Sequence, residues 1–355
     1  ATLQLEATVL PPEISFGAMQ SDGAWLIVEL EIGAETLEVL RTQLEVGTWR
    51  PLRLDLSQHA GKLATVRFRT EGGASNDLDH VFLADPVIYT PKQDPQRLLL
   101  VFLDTTRPDH MGLYGYEDHD TTPKLDAWAE RSAVVFDDAR SVAPWTLPST
   151  RSALSGRQPE LWPERFGPIL PEVLGHHGFA TGAFVGNVYL SSNFDMSRGW
   201  SQHGCVNWPT ITEQIGEVED FLGRYPDRDV AVMLHTMDMH LPYTEPRSYE
   251  TMWAGQPPAS LNENSQRRSI LKAAKKDKAA VKDWLVARYD QNLRYTDDEL
   301  SALIEQMGPD TTVVIFADHG EEFFEHGDFE HGHTLYDELL RIPLILSSPG
   351  LDASR

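Results

Sequence analysis

The run Thr311-Thr-Val-Val-Ile-Phe-Ala-Asp318-His319-Gly320 is an apolar, β-type segment that stops on an adjacent Asp and His, followed by Gly. Leu98-Leu-Leu-Val-Phe-Leu-Asp104 stops on Asp, and Val230-Ala-Val-Met-Leu-His235 stops on His, with Asp238 and His240 just beyond. Unbroken apolar strands belong to parallel sheets covered on both faces. In open α/β sheets, ligands bind outside the carboxyl ends of the strands. Three strand ends that bring Asp, Asp-His and His to one edge therefore predict a metal site on a doubly wound, mostly parallel sheet.

Residues 1–92 follow a different period. Val28, Leu30 and Ile32 alternate with Glu29 and Glu31; Leu52, Leu54 and Leu56 alternate with Arg53 and Asp55; Val66 and Phe68 alternate with Arg67 and Arg69. Period-two runs broken by Gly33, Gly47, Gly61 and Gly72-Gly73 predict antiparallel strands with one wet face. The expectation is a β-sandwich or jelly-roll accessory domain over 1–92, with Trp25 and Trp49 in its core. Pro91-Lys-Gln-Asp-Pro95 reads as the linker to an α/β domain over 93–355.

The 355-residue chain carries a formal charge of −24. That charge disfavours nonspecific nucleic-acid binding and anionic membrane surfaces. It also repels an anionic substrate unless a metal and local cations offset it. Cys205 is the single cysteine, which excludes an internal disulfide and a Cys-rich metal motif. No apolar stretch reaches the ~18 residues of a transmembrane helix, and no signal peptide is visible. The chain begins at Ala, so a leader or anchor is expected to have been removed, which favours a periplasmic or secreted location.

In the α/β part, Thr122-Pro123 opens a helix with Thr as cap and Pro at the first position. A long helix is expected over 276–307, where Val281, Trp284, Leu285, Tyr289, Leu293, Leu300 and Ile304 recur near helical spacing. The basic stretch Gln266–Lys278 before it reads as a solvated helix face. Ala143-Pro-Trp-Thr146-Leu-Pro148-Ser149-Thr150-Arg151 places Thr146 just ahead of a helix start marked by Pro148. Free N–H groups at such a start favour an oxyanion or phosphate. A bare threonine hydroxyl is a weak nucleophile, but a bound metal ion can activate it as an alkoxide; as a plain helix cap it would have no chemistry.

Taken in order, these segments resemble the motifs of the sulfatase family of the alkaline phosphatase superfamily. Asp104-Thr-Thr-Arg-Pro-Asp-His-Met-Gly-Leu-Tyr-Gly-Tyr116 is similar to its first motif, and Thr146-Leu-Pro-Ser to its Cys/Ser-x-Pro-Ser-Arg nucleophile motif. His235-Thr-Met-Asp-Met-His240-Leu-Pro-Tyr resembles the central histidine motif. Asp318-His-Gly-Glu-Glu-Phe-Phe-Glu-His326 and His331-Gly-His-Thr-Leu-Tyr-Asp-Glu-Leu-Leu-Arg-Ile-Pro343 resemble the late metal and anion motif. The likeness spans roughly residues 97–349. It implies that Asp104, Asp318 and His319 bind one divalent metal, which Thr146 touches as nucleophile, and that His240 and His331 contact the transferred group or the leaving oxygen. Ser149, Arg151 and His235 are the implied substrate contacts. Oxygen-rich ligands with one imidazole suit Mg, Ca, Mn or Zn. His235, His326 and His333, with Asp238, could complete a second metal site. The family usually continues with further helices and a small sheet, so this chain, ending just past a strand, is expected to lack the C-terminal part.

Three departures shape the expected chemistry. Thr146 cannot become the formylglycine that sulfatases make from Cys or Ser. Thr150 holds the place of the motif's Arg, with Arg151 one position later and so ~100° round a helix. Asp104-Thr105 stands where many sulfatases have Asp-Asp, and Glu330-His331 where they have Gly-Lys. The expected function is therefore a metal-dependent hydrolase or transferase cleaving phosphate diester, phosphonate or phosphate ester bonds. The anionic ester would be carried on a glycan or lipid headgroup. Sulfate ester hydrolysis and a noncatalytic anion- or partner-binding role are the alternatives.

Overall fold

A computed structural model of the chain describes residues 1–9, 21–73, 79–159, 167–258 and 260–355. They form two compact units, Ala1–Asp94 and Pro95–Arg355.

Among the described residues the first unit holds six strands: β1 (Thr2–Val9), β2 (Ala24–Ile32), β3 (Glu35–Leu44), β4 (Arg50–Asp55), β5 (Thr65–Gly72) and β6 (Val81–Tyr89). They make two antiparallel three-stranded sheets, ordered β4-β1-β6 and β3-β2-β5. Leu3 and Leu5 of β1, opposite Leu54 and Leu52 of β4, share one core with Leu26, Val28 and Leu30 of β2. The alternation is thus that of a sandwich whose inward residues meet between the sheets. Trp25 and Trp49 depart from expectation: both are half-buried. Trp25 lies on the outward period of β2, with the Arg41 guanidinium 5.4 Å over its ring.

The second unit contains β7 (Arg97–Leu103), β8 (Val134–Val135), β9 (Ala139–Arg140), β10 (Ala180–Val185), β11 (Gln202–Cys205), β12 (Val230–Thr236), β13 (Thr311–Phe316), β14 (Glu322–Phe323), β15 (Phe329–Glu330), β16 (Arg341–Ile342) and β17 (Leu344–Ser347). Seven of these form the main sheet, ordered β11-β10-β12-β7-β13-β17-β8. The strands from β11 to β13 run parallel, and β17 is antiparallel to β13. The helices are α1 (Pro123–Ser132), α2 (Thr146–Ser155), α3 (Leu170–His176), α4 (Ile211–Arg224), α5 (Arg267–Ala274), α6 (Lys278–Met307) and the short α7 (Asp337–Leu340). None is long and apolar enough to cross a membrane.

Strand β7 explains why its run is unbroken. Leu99, Val101 and Leu103 join a core with Val218 and Phe221 of α4 and Leu293 of α6. Leu100 and Phe102 join a separate core with Leu154 of α2 and Met233 of β12. Apolar side chains are therefore needed on both faces. The sequence β12-β7-β13 at the middle of the sheet is what sets His235, Asp104 and Asp318-His319 side by side.

Helix α6 is the other organiser. No residue from Trp284 to Leu300 is exposed. Its buried polar groups grip the loops below the sheet edge. The Tyr289 hydroxyl donates to the Thr105 carbonyl (3.0 Å) and receives the Arg107 N–H (2.8 Å). Asp297 accepts the N–H groups of Lys124 and Leu125 (3.1 and 2.7 Å), so it caps α1 from a distance. Arg288 makes a paired contact with the buried Glu245 (3.0 Å at each oxygen), which also receives Gln291 and Asn292. Removing one partner of such a buried pair costs ~3–5 kcal/mol, because a charge is left uncompensated. Glu245→Ala should therefore lower the unfolding free energy by about that amount, read by urea denaturation. A change within ~0.5 kcal/mol, the scale of a neutral surface substitution, would remove the Arg288–Glu245 pair from the forces that hold α6.

Candidate active site

Asp104 follows β7, His235 lies in β12, and Asp318 and His319 follow β13; all four are fully or nearly fully buried. Thr146, 3 % exposed, is the first residue of α2. The helix thus begins two residues earlier than Pro148 indicates, with extended Trp145 as its N-cap and no side chain capping it. Thr146 does not serve as a cap; its hydroxyl enters the cluster.

The distances within the cluster are regular. Thr146 Oγ1 lies 3.5 Å from Asp104 Oδ2 and 3.4 Å from His319 Nε2. His319 Nε2 is 3.5 Å from both Asp104 Oδ1 and Asp318 Oδ2. These separations are long for hydrogen bonds. A tetrahedral ion with arms of ~2.0–2.2 Å sets its ligand atoms about 3.3–3.6 Å apart, which matches. Asp104, Asp318 and His319 each offer an atom to one group within 4.8 Å, the group of this kind among the described residues. Asp104 Oδ1 and Asp318 Oδ2 are buried with no hydrogen-bond partner, as expected of atoms arranged for a cation. The residues therefore fit a divalent metal.

The electrostatics agree. Burial, and then the charge of Asp318, pushes the Asp104 carboxyl well above its ordinary range. Burial also opposes ionisation of Asp318, but the His319 and His235 imidazoles reverse the balance and hold it low. Burial lowers His319 to about 4, leaving it neutral, the form that ligates metals. His319 Nδ1 is 2.9 Å from the Gly320 carbonyl, which fixes the ring and frees Nε2 for the cluster. Gly320 itself is confined: a Cβ there would collide with the Glu338 carbonyl oxygen.

His331 and His240 extend the site outward. Their rings are 4.8 Å apart, and His331 is 4.4 Å from His319. Burial, reinforced by His331, lowers His240 to about 3.

Other expected residues sit elsewhere. The Ser149 hydroxyl donates to the Ala143 carbonyl (2.9 Å) and pairs with Ser141, which ties the preceding loop to α2. Arg151 reaches the Phe194 carbonyl (3.1 Å) in a small recess with Leu154, Ile169 and Asp195. Both side chains thus bind backbone carbonyls of the neighbouring loops. His235, expected to touch substrate, has Nε2 3.5 Å from Asp104 and 3.9 Å from Asp318. The residues named for a second metal are dispersed. His326 pairs with Glu338 (2.9 Å), His333 with Glu322 (2.9 Å) and Asp238 with Thr236.

Two residues escape the sequence reading. Asn187, 6 % exposed, donates from Nδ2 to Thr146 Oγ1 (3.1 Å) and to Asp104 Oδ2 (3.3 Å), while its Oδ1 receives the Tyr189 N–H (3.0 Å). It lies two residues past β10, so the strand-end rule applied to that strand would have found it. Glu321, 0 % exposed, lies 3.0 Å from His331 Nδ1.

Fold and site together define a member of the alkaline-phosphatase-like α/β proteins. The sulfatase family model matches residues 96–355, and the chain belongs to that family. It is 26 % identical over 297 residues to the Kdo(2)-lipid A phosphoethanolamine 7''-transferase of Escherichia coli K12, covering 76 % of this chain and 48 % of that protein. It is 22 % identical over 298 residues to the phosphatidylethanolamine transferase Mcr-1 of Escherichia coli, covering 77 % of this chain and 51 % of that protein. The chain spans about half the length of the curated relatives it matches. In fold it is similar to the C-terminal periplasmic domain of phosphoethanolamine transferase EptC from Campylobacter jejuni (TM-score 0.57, 22 % identity, 72 % of this chain and 80 % of that one).

Replacing Asp318 by Asn should weaken divalent-ion binding by more than the ~10–100-fold typical of losing an outer-shell partner, and abolish turnover with it. Calorimetric titration with zinc or manganese measures this. Full occupancy and a normal rate in the variant would exclude Asp318 as a principal ligand.

Proposed function

We propose that the second unit catalyses hydrolysis or transfer at a phosphate diester, by way of a covalent phosphothreonine at Thr146. The observation that carries this reading is the Thr146 hydroxyl at 3.4–3.5 Å from two donors of the cluster, at the start of an uncapped helix. Asp104, Asp318, His319 and Thr146 would hold the ion, and the near-tetrahedral spacing with one imidazole favours zinc. A bound divalent metal would lower the proton affinity of the threonine hydroxyl and offset charge on the transferred group.

The chain's own residues supply the rest. Asn187 donates to Thr146 Oγ1 and steadies the oxygen in its nucleophilic form. The N–H groups of the first turn of α2 receive an equatorial phosphate oxygen. His240 and His331 stand next to the donors for contact with the transferred group and the leaving oxygen. Threonine lacks the chemistry to form the hydrated aldehyde of sulfatases, so phosphorus rather than sulfur is the expected centre of attack.

The relatives' names point to phosphoethanolamine as the transferred group and to a lipid as a reactant. The rim of the site suits that reading. Trp145, Val188, Tyr189, Val206 and Trp208 are exposed apolar residues. Trp145 packs edge-on against Tyr189 (5.6 Å), and Trp208 against His240 (5.1 Å). An apolar lip beside the nucleophile favours a substrate with an acyl or similarly apolar portion. The acidic chain favours a zwitterionic headgroup over a strongly anionic one.

With saturating metal, initial rates on methyl 4-nitrophenyl phosphate should exceed those on 4-nitrophenyl sulfate. Thr146→Ala should lose at least ~10³-fold on the diester, the scale of deleting a nucleophile that acts as a unit with its neighbours. Faster sulfate cleavage that vanishes in Thr146→Ala would instead identify a sulfatase with an unconverted nucleophile.

A further inference from the structure

The basic stretch ahead of the long helix has no part in the chemistry above. Residues 267–282 carry seven of the chain's 30 lysines and arginines and a single acid, Asp277, in a sequence with 54 acidic residues. That acid is committed: its side chain caps α6 by accepting the Ala280 N–H (3.1 Å). Arg268, Lys272 and Lys275 stand at i, i+4 and i+7, so they share one face of α5. All three are exposed, as is Lys276 after them, while Ile270 and Ala273 hold the other stripe in the core. Among the described residues none of the four cations has an ion-pair partner.

A merely solvated face would be built differently. Like charges at i, i+4 weaken a helix. Neither α5 nor α6 has an acid in its first turn. Arg267, Arg268 and Lys278 stand there instead, at the end where the helix dipole disfavours cations. The arrangement gives up helix stability, and a contact outside the helix is what it can gain.

Geometry puts this face beside the site. Helix α6 has 30 residues, about 45 Å of helix. It ends at Met307, just before β13 starts at Thr311, so it runs back along the sheet. Strand β13 has six residues, about 20 Å. The start of α6, and α5 with it, therefore stand beyond the carboxyl ends of the strands, the edge that holds the site. The contacts agree. Lys278 Nζ donates to the Phe324 carbonyl (3.0 Å), and Lys282 pairs with Glu325 (3.4 Å). Arg267 donates to the Phe329 carbonyl (2.8 Å) and lies 3.7 Å from Glu330. Glu330 precedes His331, whose ring meets those of His319 and His240, and His240 in turn meets the exposed Trp208.

We propose that Arg268, Lys272, Lys275 and Lys276 form a docking face that seats the site against the surface of an anionic lipid bilayer. The choice of a lipid surface over another anion rests on the lipid-substrate reading of the site and on the exposed Trp145 and Trp208 at its rim. Lysine and arginine are drawn to anionic headgroups, and tryptophan settles at headgroup level. The formal charge of −24 does not oppose this at contact. At physiological ionic strength, exposed charges more than about 8 Å apart are largely screened, so a bilayer against this face meets the cations first. The face holds the anionic lipids around a substrate; the reacting headgroup is left to the donor set and Thr146.

The test is co-sedimentation of the full chain with sucrose-loaded vesicles of phosphatidylcholine alone and of equal parts phosphatidylcholine and phosphatidylglycerol. The wild type should bind the mixed vesicles and not the neutral ones, and added salt should weaken the binding. Arg268→Gln/Lys272→Gln/Lys275→Gln should bind on the order of 10²-fold less tightly, at about fivefold per cation near an anionic leaflet. Lys62→Gln/Lys92→Gln/Arg131→Gln removes as many exposed cations outside the stretch and should bind as the wild type does. If the first triple variant does not fold, Lys272→Glu carries the comparison, with a loss of about 25-fold for its two units of charge. Absence of wild-type binding, equal binding to neutral vesicles, or equal losses in the two triple variants overturns the proposal. Capture on polyglutamate beads without vesicle binding assigns the face to an acidic macromolecule and overturns it as well. Turnover of the soluble diester methyl 4-nitrophenyl phosphate should be the same in wild type and patch variant. A wild type that binds mixed vesicles but cleaves no diester sinks the phosphodiester reading and leaves the docking face standing.

Discussion

The structure of the site depends on placing two carboxylates, Asp104 and Asp318, at neighbouring strand ends with neither exposed by more than 2 %. Like charges this close and this dry cannot both persist without a compensating cation or proton. Among the described residues, imidazole nitrogens of His235 and His319 lie within 4 Å of them. The rest of the arrangement answers this constraint. Parallel pairing of β7 with β12 and β13 fixes where the carboxylates emerge. The start of α2 brings an oxygen rather than another charge. The turn at Gly320 is packed too tightly to let His319 drift.

On the proposed reading, an acidic chain that handles an anion needs positive potential at the point of contact, and the arginine of the first motif is committed elsewhere. Arg107, in the first motif, is bound to the Glu321 carbonyl (2.9 Å) and to the carboxylates of Asp109 (2.6 Å) and Glu325 (3.1 Å). It holds the two site-bearing loops together. On the proposed reading, attraction for the substrate then falls to the helix start and the ion that the donor set fits. A site of that kind binds through short-range contacts and resists salt better than one that relies on surface charge.

Much of this was legible because strand ends obey a simple rule. Asp104, His235, Asp318 and His319 each terminate an apolar run, and parallel sheets gather such ends at one edge. The α/β fold, the sandwich alternation and the long helix follow from period alone. What period cannot convey is the direction of a side chain within a turn or first helical turn. Ser149 and Arg151 lie in the right motif, but α2 begins at Thr146, and their positions on it lead to Ala143 and Phe194. His235 ends its strand as expected, and its Nε2 lies within 3.9 Å of both carboxylates. Glu321 takes its place from a backbone turn that no spacing rule specifies, whereas Asn187, two residues past β10, was within reach of the strand-end rule. The half-buried Trp25 shows the reverse error: a large aromatic ring suggests a core, yet the outward period of β2 decides.

Helix α6 was recognised by its apolar spacing, but its middle has no outside. Around Tyr289 each face of the helix meets something: Thr105 and Arg107 on one side, Glu245 on another, His110, Tyr116 and His119 around Asp290 on a third. A helix buried on one stripe tolerates change on the other. This one has no such spare surface between Trp284 and Leu300. In a saturation survey of single substitutions, that stretch would stand out as a band of intolerance as dense as the loop that carries Thr146. A map of mutational sensitivity alone would mistake an axle for a second active site.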